Sequence, residues 1–382
     1  MLWAALLSLA IWLYLLLFHG RFWRATERLR PAPAPERWPD VAIIVPARNE
    51  AETIGAVVSA HMATRYPGRA HLFLVDDGSD DGTAGIATAA ADGRRAFTLL
   101  TAPPLAPGWS GKLWALSHGI AAARENMPGA PWLLLTDADI VHGPALLENL
   151  VAAAEAEGLS LLSVMSRLDA RGFWGGLLVP AFVYFFQKLY PFPLVNSPAS
   201  RVAGAAGGVV LIRRAALDAI GGIASIRAAL IDDCTLAARV KGTGAPIRLV
   251  LADRNAPATS LRDNRSYASI EAMVSRTAYS QLGFSPLMLL GTIVGMVLVY
   301  LVPPSAVLFL GVHGSAAAAA AGVAAWGIMA ITYLPTLIDY GMARSRAISL
   351  PIAGLLYTGF TLSSAIAHHA GRGGRWKGRT YS

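Results

Sequence analysis

Charge is scarce in this chain of 382 residues. Asp, Glu, Lys and Arg together make up 15% of it, against roughly 25% in ordinary soluble domains. Apolar residues reach 54%. That excludes a disordered chain, because there is ample apolar surface to bury, and it argues against a purely soluble one. Cysteine is nearly absent. The single Cys234 excludes an intramolecular disulfide framework and a cysteine-built zinc site, and it fits a reducing compartment. Two nucleotide signatures are also missing. There is no Gly-x-x-x-x-Gly-Lys-Ser/Thr loop, which argues against a P-loop NTPase, and no Gly-x-Gly-x-x-Gly after a strand-like run, which disfavours a dinucleotide-dependent oxidoreductase.

The charge that is present sits in particular places. The net charge is +8. Residues 286–382 hold Arg344, Arg346, Arg372, Arg375, Lys377 and Arg379 against one acid, Asp339, and residues 21–40 hold five arginines against three acids. The central stretch 41–285 is therefore close to neutral. Positive charge that flanks apolar segments is the pattern of a membrane protein, not the basic surface of a nucleic-acid binder.

Residues 1–20 carry no Asp, Glu, Lys or Arg. The run Leu2–Phe18 is just long enough to span a hydrocarbon core of about 30 Å. With no basic start and no small-residue cleavage site before Arg21, it reads as an uncleaved anchor. A basic and proline-rich linker, 21–40, follows. Residues 286–338 are free of charged side chains, and Gly311, His313 and Gly314 make a turn that divides them into spans near 286–311 and 315–338. A third span falls near 348–367, and the last two are separated by a basic loop holding Arg344 and Arg346, which should face the cytoplasm. The expected division is an anchor over 1–20, the linker, a central domain over 41–285, a transmembrane region over 286–371 and a basic tail over 372–382. Three C-terminal spans put that basic tail outside, so either one apolar run does not cross or the charge rule is broken here.

The central stretch alternates between strand and helix patterns. Val41–Val45, His71–Val75, Phe97–Leu100, Trp132–Thr136 and Leu161–Met165 are short apolar runs of the kind that form buried parallel strands. Helices are expected over 52–64, 80–91, 112–124 and 144–157. This order implies an α/β fold with a largely parallel sheet and helices on both faces.

Ligands of such sheets bind beyond the carboxyl ends of the strands. Acidic residues gather there: Glu50 after the first strand, Asp76 and Asp77 at the end of the second, Asp137 and Asp139 after Trp132–Thr136. Each alone has a bland reading as a turn or a helix cap. Acids at three successive strand ends point instead to one shared site. Clustered carboxylates repel one another unless a cation sits among them, and hard oxygen donors suit Mg²⁺ or Mn²⁺. A bound divalent ion in turn invites a diphosphate.

The segments Val41–Glu50 (VAIIVPARNE), Val75–Thr83 (VDDGSDDGT), Gly111–Gly119 (GKLWALSHG) and Thr136–Asp139 (TDAD) occur in the order seen in family 2 glycosyltransferases of the GT-A fold, and Ile231–Leu236 (IDDCTL) resembles that family's acidic-Asp-x-x-Leu motif. The resemblance covers about 41–285. With one N-terminal and about three C-terminal apolar segments, the chain looks most like the hopanoid-biosynthesis-associated membrane branch. The resemblance implies roles. Ala47 and Glu50 would line the nucleotide pocket, and Asp77 would contact the base with Asp76 beside it. Asp137 and Asp139 would meet ribose and diphosphate through the metal, with Lys112 a further donor-site candidate. Asp233 would be the general base, and Asp232 stands where the family usually has Glu. An acceptor hydroxyl is a poor nucleophile at neutral pH, so a carboxylate must take its proton as it attacks. For Asp232 and Asp233 the alternative is a plain acidic helix start.

Processive synthases of this family carry Gln-x-x-Arg-Trp after the base. Here the corresponding Met273–Thr277 keeps only Arg276, a candidate diphosphate contact or a structural ion pair. That favours transfer of one sugar over polymerisation. Residues 173–195 are aromatic-rich, and Pro180, Pro191 and Pro193 argue against a spanning helix, leaving an interfacial acceptor platform or a core helix. Gly204–Gly208 followed by Val209–Ile212 reads as a tight backbone approach leading into a strand beside the acceptor.

The leading expectation is a membrane-bound inverting glycosyltransferase at a bacterial inner membrane. Its catalytic domain would face the cytoplasm, taking a UDP- or GDP-sugar donor and a lipid acceptor, a hopanoid among the candidates. One alternative is a polyprenyl-phosphate glycosyltransferase, which would need basic residues such as Arg201, Arg213 or Arg214 near Asp233. The other is a non-catalytic membrane scaffold.

Overall fold

In the computed structural model, which describes residues 1–371 and 373 apart from 254 and 256, the chain separates into two compact units. One takes residues 27–168 and 194–262, the other residues 1–26, 169–193 and those from 263 onward.

The first unit is built on a seven-stranded sheet. Its strands are β1 (Val41–Ala47), β2 (Ala70–Asp76), β3 (Phe97–Thr101), β4 (Trp132–Thr136), β6 (Leu161–Met165), β7 (Val209–Arg213) and β8 (Ile247–Leu251), in the spatial order β3-β2-β1-β4-β7-β6-β8. β5 (Ile140–His142) and β9 (Ala258–Ser260) form a separate antiparallel ladder. β1 pairs in parallel with both β2 and β4, and β6 with β8, while β7 runs antiparallel between β4 and β6. Every residue of β1 and β4 is buried, which is why these strands read as continuous apolar runs instead of alternating ones. On one face Ile43, Leu74, Leu134 and Leu211 pack against Leu147, Leu150 and Val151 of the helix Leu146–Ala156. Each such side chain contributes about 1.5–3 kcal/mol on full burial. The helix Gly111–Asn126 begins at Ser110, whose side chain accepts from the Leu113 amide.

The second unit is helical. Its elements include Leu2–Leu17, Gly172–Leu189, Tyr267–Ser275, Ala316–Asp339 and Leu350–His369, with a further helix that starts at Pro286 and runs through a π turn at Val297–Leu301 to Leu308. Four segments are long and apolar enough to cross a membrane: Gly172–Val195, Pro286–Leu308, Ala316–Asp339 and Arg344–His369. The N-terminal helix has 16 residues, about 24 Å at 1.5 Å per residue, and is the shortest of the apolar candidates. Ala5, Ala306, Ala318 and Ala321 form a small-residue cluster between helices, the kind of contact that lets apolar helices approach closely. Pro303 has no amide hydrogen to give the Val299 carbonyl four residues back, and the Trp12 indole donates to that carbonyl at 2.8 Å instead.

Pro180 sits inside an unbroken helix, Gly172–Leu189. An interior proline costs roughly 3 kcal/mol, but Leu178, Val179, Val183 and Tyr184 are all buried on the same helix, and at about 1.5–3 kcal/mol each their packing outweighs it. The basic tail residues Arg372, Arg375, Lys377 and Arg379 lie outside the described residues.

Candidate active site

The carboxyl ends of β1, β2 and β4 bring the acidic residues of the sheet unit to one edge. Ala47 ends β1 opposite Asp76, which ends β2, and the Asp77 amide donates to the Ala47 carbonyl at 2.8 Å. Asp76 and Asp77 are both buried. The Asp76 carboxylate accepts from the amide and hydroxyl of Ser79, and the Arg48 guanidinium donates to the Asp77 carbonyl. The Glu50 amide donates to the Thr83 hydroxyl at 2.8 Å. These bonds fix the two loops against each other and leave a polar rim beyond the sheet.

A second group forms where β4 meets β7. Gly207 and Gly208 lead into β7, and the Thr136 hydroxyl donates to the Gly208 carbonyl at 2.7 Å. A Cβ on Gly207 would stand 3.2 Å from Asp233 Oδ2 and 3.3 Å from Lys112 Nζ, so this backbone approaches the charged groups closely because it has no side chain. Lys112, in the first turn of Gly111–Asn126, reaches across. Its Nζ lies 2.9 Å from Asp137 Oδ1 and 3.0 Å from Asp232 Oδ2. One ammonium thus ties the acid after β4 to the acid pair that opens the helix Asp232–Gly242. Burial opposes the Lys112 charge, but Asp137 and Asp232 outweigh it and hold the ammonium above the ordinary lysine range.

Asp233 sits beside this bridge. Its Oδ1 accepts from the Cys234 amide at 2.7 Å. Burial, and then repulsion from Asp232, push its carboxyl up to about 6 against the counter-pull of Lys112. Lys112, Asp137, Gly207, Asp232 and Asp233 line a single partly open cleft.

Asp139 is almost fully buried and has a different partner. Arg262 Nε donates to its Oδ2 at 2.6 Å, the Ser260 hydroxyl donates to the same oxygen at 3.3 Å, and the Leu261 amide donates to its backbone carbonyl at 2.8 Å. The β5–β9 ladder, which pairs Ile140 with Ser260, delivers this contact. Arg262 Nη2 also lies 4.0 Å from Glu50 Oε1, which links the Asp-x-Asp segment to the loop after β1.

Most of the residues singled out in the sequence therefore gather in the sheet unit. Arg276 follows the helix Tyr267–Ser275 in the helical unit. Arg213 and Arg214 stand at the far end of β7, where Arg213 is paired with Trp132 in register and with Glu155 by charge, and Arg214 donates to the carbonyls of Met127 and Pro128. Arg262 and Ser260 had no signal in the sequence, because β9 is three residues long and meets Asp139 across more than a hundred residues of chain.

The donor set at the edge fits a divalent ion of the Mg²⁺ or Mn²⁺ kind. Such ions take one or two carboxylates and draw their remaining ligands from phosphates and water. Asp137 and Asp139 are hard oxygen donors, and both already face positive charge. Among the described residues no group of three or more His, Cys, Asp or Glu side chains is arranged to hold a metal, so the ion would need oxygens from a ligand.

Sequence and structure comparisons agree on the class. The family described as "Glycosyltransferase like family 2" matches residues 39–275, and the chain belongs to that family. It is similar to the succinoglycan biosynthesis protein ExoU of Rhizobium meliloti, with 31% identity over 116 residues that make up 30% of this chain and 30% of that one. Among solved structures it resembles the mannosyltransferase PcManGT of Pyrobaculum calidifontis in complex with GDP-Man and Mn²⁺, with a TM-score of 0.56, 19% identity, and coverage of 93% of this chain and 99% of that one. A looser likeness, with a TM-score of 0.41, 19% identity, and coverage of 64% of this chain and 79% of the other, is to glucosyl-3-phosphoglycerate synthase of Mycobacterium tuberculosis. The fold of the sheet unit is GT-A-like.

Proposed function

We infer that the chain is a membrane-bound inverting glycosyltransferase that moves one sugar from a nucleoside-diphosphate donor to the hydroxyl of a lipid. The observation that carries this reading is the Lys112 bridge. It holds Asp137, on the donor side, and Asp232, next to the half-buried Asp233, at one cleft.

Asp233 is suited to the part of general base. A carboxyl at about 6 is largely ionised at neutral pH and basic enough to take a proton from a hydroxyl in the transition state. In that step the acceptor oxygen bonds to the anomeric carbon as its proton passes to Asp233, and the bond from that carbon to the diphosphate oxygen breaks. One displacement inverts the anomeric centre. Lys112 and Arg262 carry positive charge at the edge where the diphosphate would sit, and Ala47, Glu50, Asp76 and Asp77 shape the nucleotide side. The mannosyltransferase of similar fold holds GDP-Man and Mn²⁺; here Asp137 and Asp139 would hold such an ion, which when bound neutralises the leaving diphosphate.

The acceptor reading favours a neutral hydroxyl over a lipid phosphate. Arg213 and Arg214 are engaged at the opposite end of β7, away from Asp233, and so do not supply the basic surround that an anionic acceptor needs. A hydroxylated lipid such as a hopanoid is the candidate from the sequence resemblance. Apolar helices support membrane attachment, with the arginines after residue 20 and at 344 and 346 on the cytoplasmic side, where nucleotide sugars are made. The helix Gly172–Leu189 is long enough to cross, yet residues 168 and 194 on either side of it both belong to the sheet unit. A single crossing would send them to opposite faces of the bilayer, so this helix lies in the interface.

Calorimetric titration of UDP and GDP into the detergent-solubilised full chain, with Mn²⁺ and with EDTA, tests the donor half. One nucleotide should bind with metal, and Asp139→Ala should abolish the metal-dependent part. Equal affinity in both conditions, or no binding of either nucleotide, contradicts the reading.

A further inference from the structure

Arg262 occupies the Asp139 carboxylate. Its Nε bonds Oδ2 at 2.6 Å, Ser260 bonds the same oxygen, and the guanidinium is drawn further by Asp137 and Glu50. Lys112 does the same for Asp137. Each carboxylate of the Asp-x-Asp pair thus already has a cation of the chain as partner. A bare divalent ion approaching Asp139 must displace a charge-assisted hydrogen bond, the stronger kind. A diphosphate changes this balance. It brings negative oxygens that match the planar fork of a guanidinium, so Arg262 has a new partner when it leaves Asp139, and it brings the extra oxygen ligands that the protein lacks.

We propose that Arg262 is a positioning residue that makes the donor site take metal only together with a diphosphate. In the free protein it guards Asp139, and with the nucleotide present it turns to the diphosphate and releases the carboxylate. This rests on the donor reading above. Its consequence is a coupling between two ligands, and such coupling is reciprocal: the factor by which nucleotide raises metal affinity equals the factor by which metal raises nucleotide affinity. Arg262→Gln removes the guard. Metal should then bind Asp139 on its own, and the coupling should shrink by roughly tenfold, inside the usual range for linked sites.

The test is a titration of MnCl₂ into the full-length protein without nucleotide, followed by UDP or GDP with and without Mn²⁺. The wild type should bind Mn²⁺ weakly alone and strongly with nucleotide. Arg262→Gln should bind Mn²⁺ alone about tenfold more tightly, with a smaller gain on adding nucleotide. Arg262→Lys keeps the charge and should behave like the wild type towards Mn²⁺ alone, which gives a reading even if the glutamine variant does not fold. Equal Mn²⁺ affinity of wild type and Arg262→Gln overturns the inference, and so does tight Mn²⁺ binding by Arg262→Lys; nucleotide binding by both proteins would leave the donor reading standing. If neither protein binds nucleotide, the donor reading falls and this inference falls with it.

Discussion

The two units of the chain bury polar groups for different ends. In the sheet unit polar side chains at the strand ends, some half-buried and some buried, pair by charge: Lys112 with Asp137 and Asp232, Arg262 with Asp139. In the helical unit they are mostly hydroxyls scattered among aromatic rings, such as Tyr184 with Thr332 at 2.8 Å and Tyr357 with the Leu178 carbonyl at 2.9 Å. The outer surfaces differ in the same way. Trp3, Leu287 and Val312 of the helical unit are 82%, 76% and 85% exposed, while the most exposed large apolar side chain of the sheet unit, Leu261, reaches 41%. A surface that leaves such side chains outside makes sense against lipid. The comparison sets charged pairs in one unit against exposed apolar helices in the other.

The largest effect that would sharpen this division is expected at Lys112. Lys112→Met leaves two carboxylates facing each other without their shared cation. kcat/KM should fall by roughly 10²–10³-fold, the size of loss seen when an electrostatic partner is removed from a site. Steady-state kinetics on purified variants checks this, and an unchanged rate would mean that the bridge is only structural.

A smaller effect lies in the pH profile. The base must be ionised to work, and burial with Asp232 repulsion puts Asp233 at about 6. Activity should therefore be full above this value and lost as the pH falls through it, with kcat/KM dropping about tenfold per unit on the acid side. A profile flat down to pH 4.5 would break the link between the Asp233 carboxylate and turnover.

The smallest pair of effects contrasts one glycine from each unit. Gly207→Ala should lower kcat by about threefold to tenfold, because a methyl there pushes Asp233 and Lys112 by a few tenths of an ångström and reaction rates are sensitive to such shifts. Gly322→Val in the helix Ala316–Asp339 meets the Pro303 carbonyl at 2.7 Å and the Ala306 methyl at 2.9 Å. Overpacking of this kind costs about 1–3 kcal/mol, so thermal stability in detergent should fall while nucleotide affinity stays at the wild-type value. Loss of nucleotide affinity in Gly322→Val would mean that the two units do not divide the work.

Legibility in the sequence follows the same boundary. β1, β2 and β4 were readable because strands buried on both faces are unbroken apolar runs, and the acids that end them stand out against that background. The fold class and the family motifs came from those strand ends. β8, β5 and β9 were not read as strands. Arg248 interrupts the apolar run of β8, and β5 and β9 have three residues each, too few to show a period. Arg262 was invisible for that reason, since its role depends on a ladder partner that only the folded chain brings near. At Pro180 a local rule against interior prolines lost to the packing of the whole Gly172–Leu189 helix. Gly207 and Gly208 were legible as a tight approach, but what they approach, the Lys112–Asp233 pair, needed the antiparallel placement of β7.

The most direct test of the central claim compares Asp233→Asn with Asp232→Asn on the same donor and lipid acceptor, with nucleotide affinity as the control for folding. Asp233→Asn is nearly isosteric and should lower kcat by about 10²–10⁴-fold, the usual loss on removing a general base, with nucleotide binding close to wild type. Asp232→Asn, which loses only one end of the Lys112 bridge, should lose less. Near-normal turnover by Asp233→Asn would contradict the account.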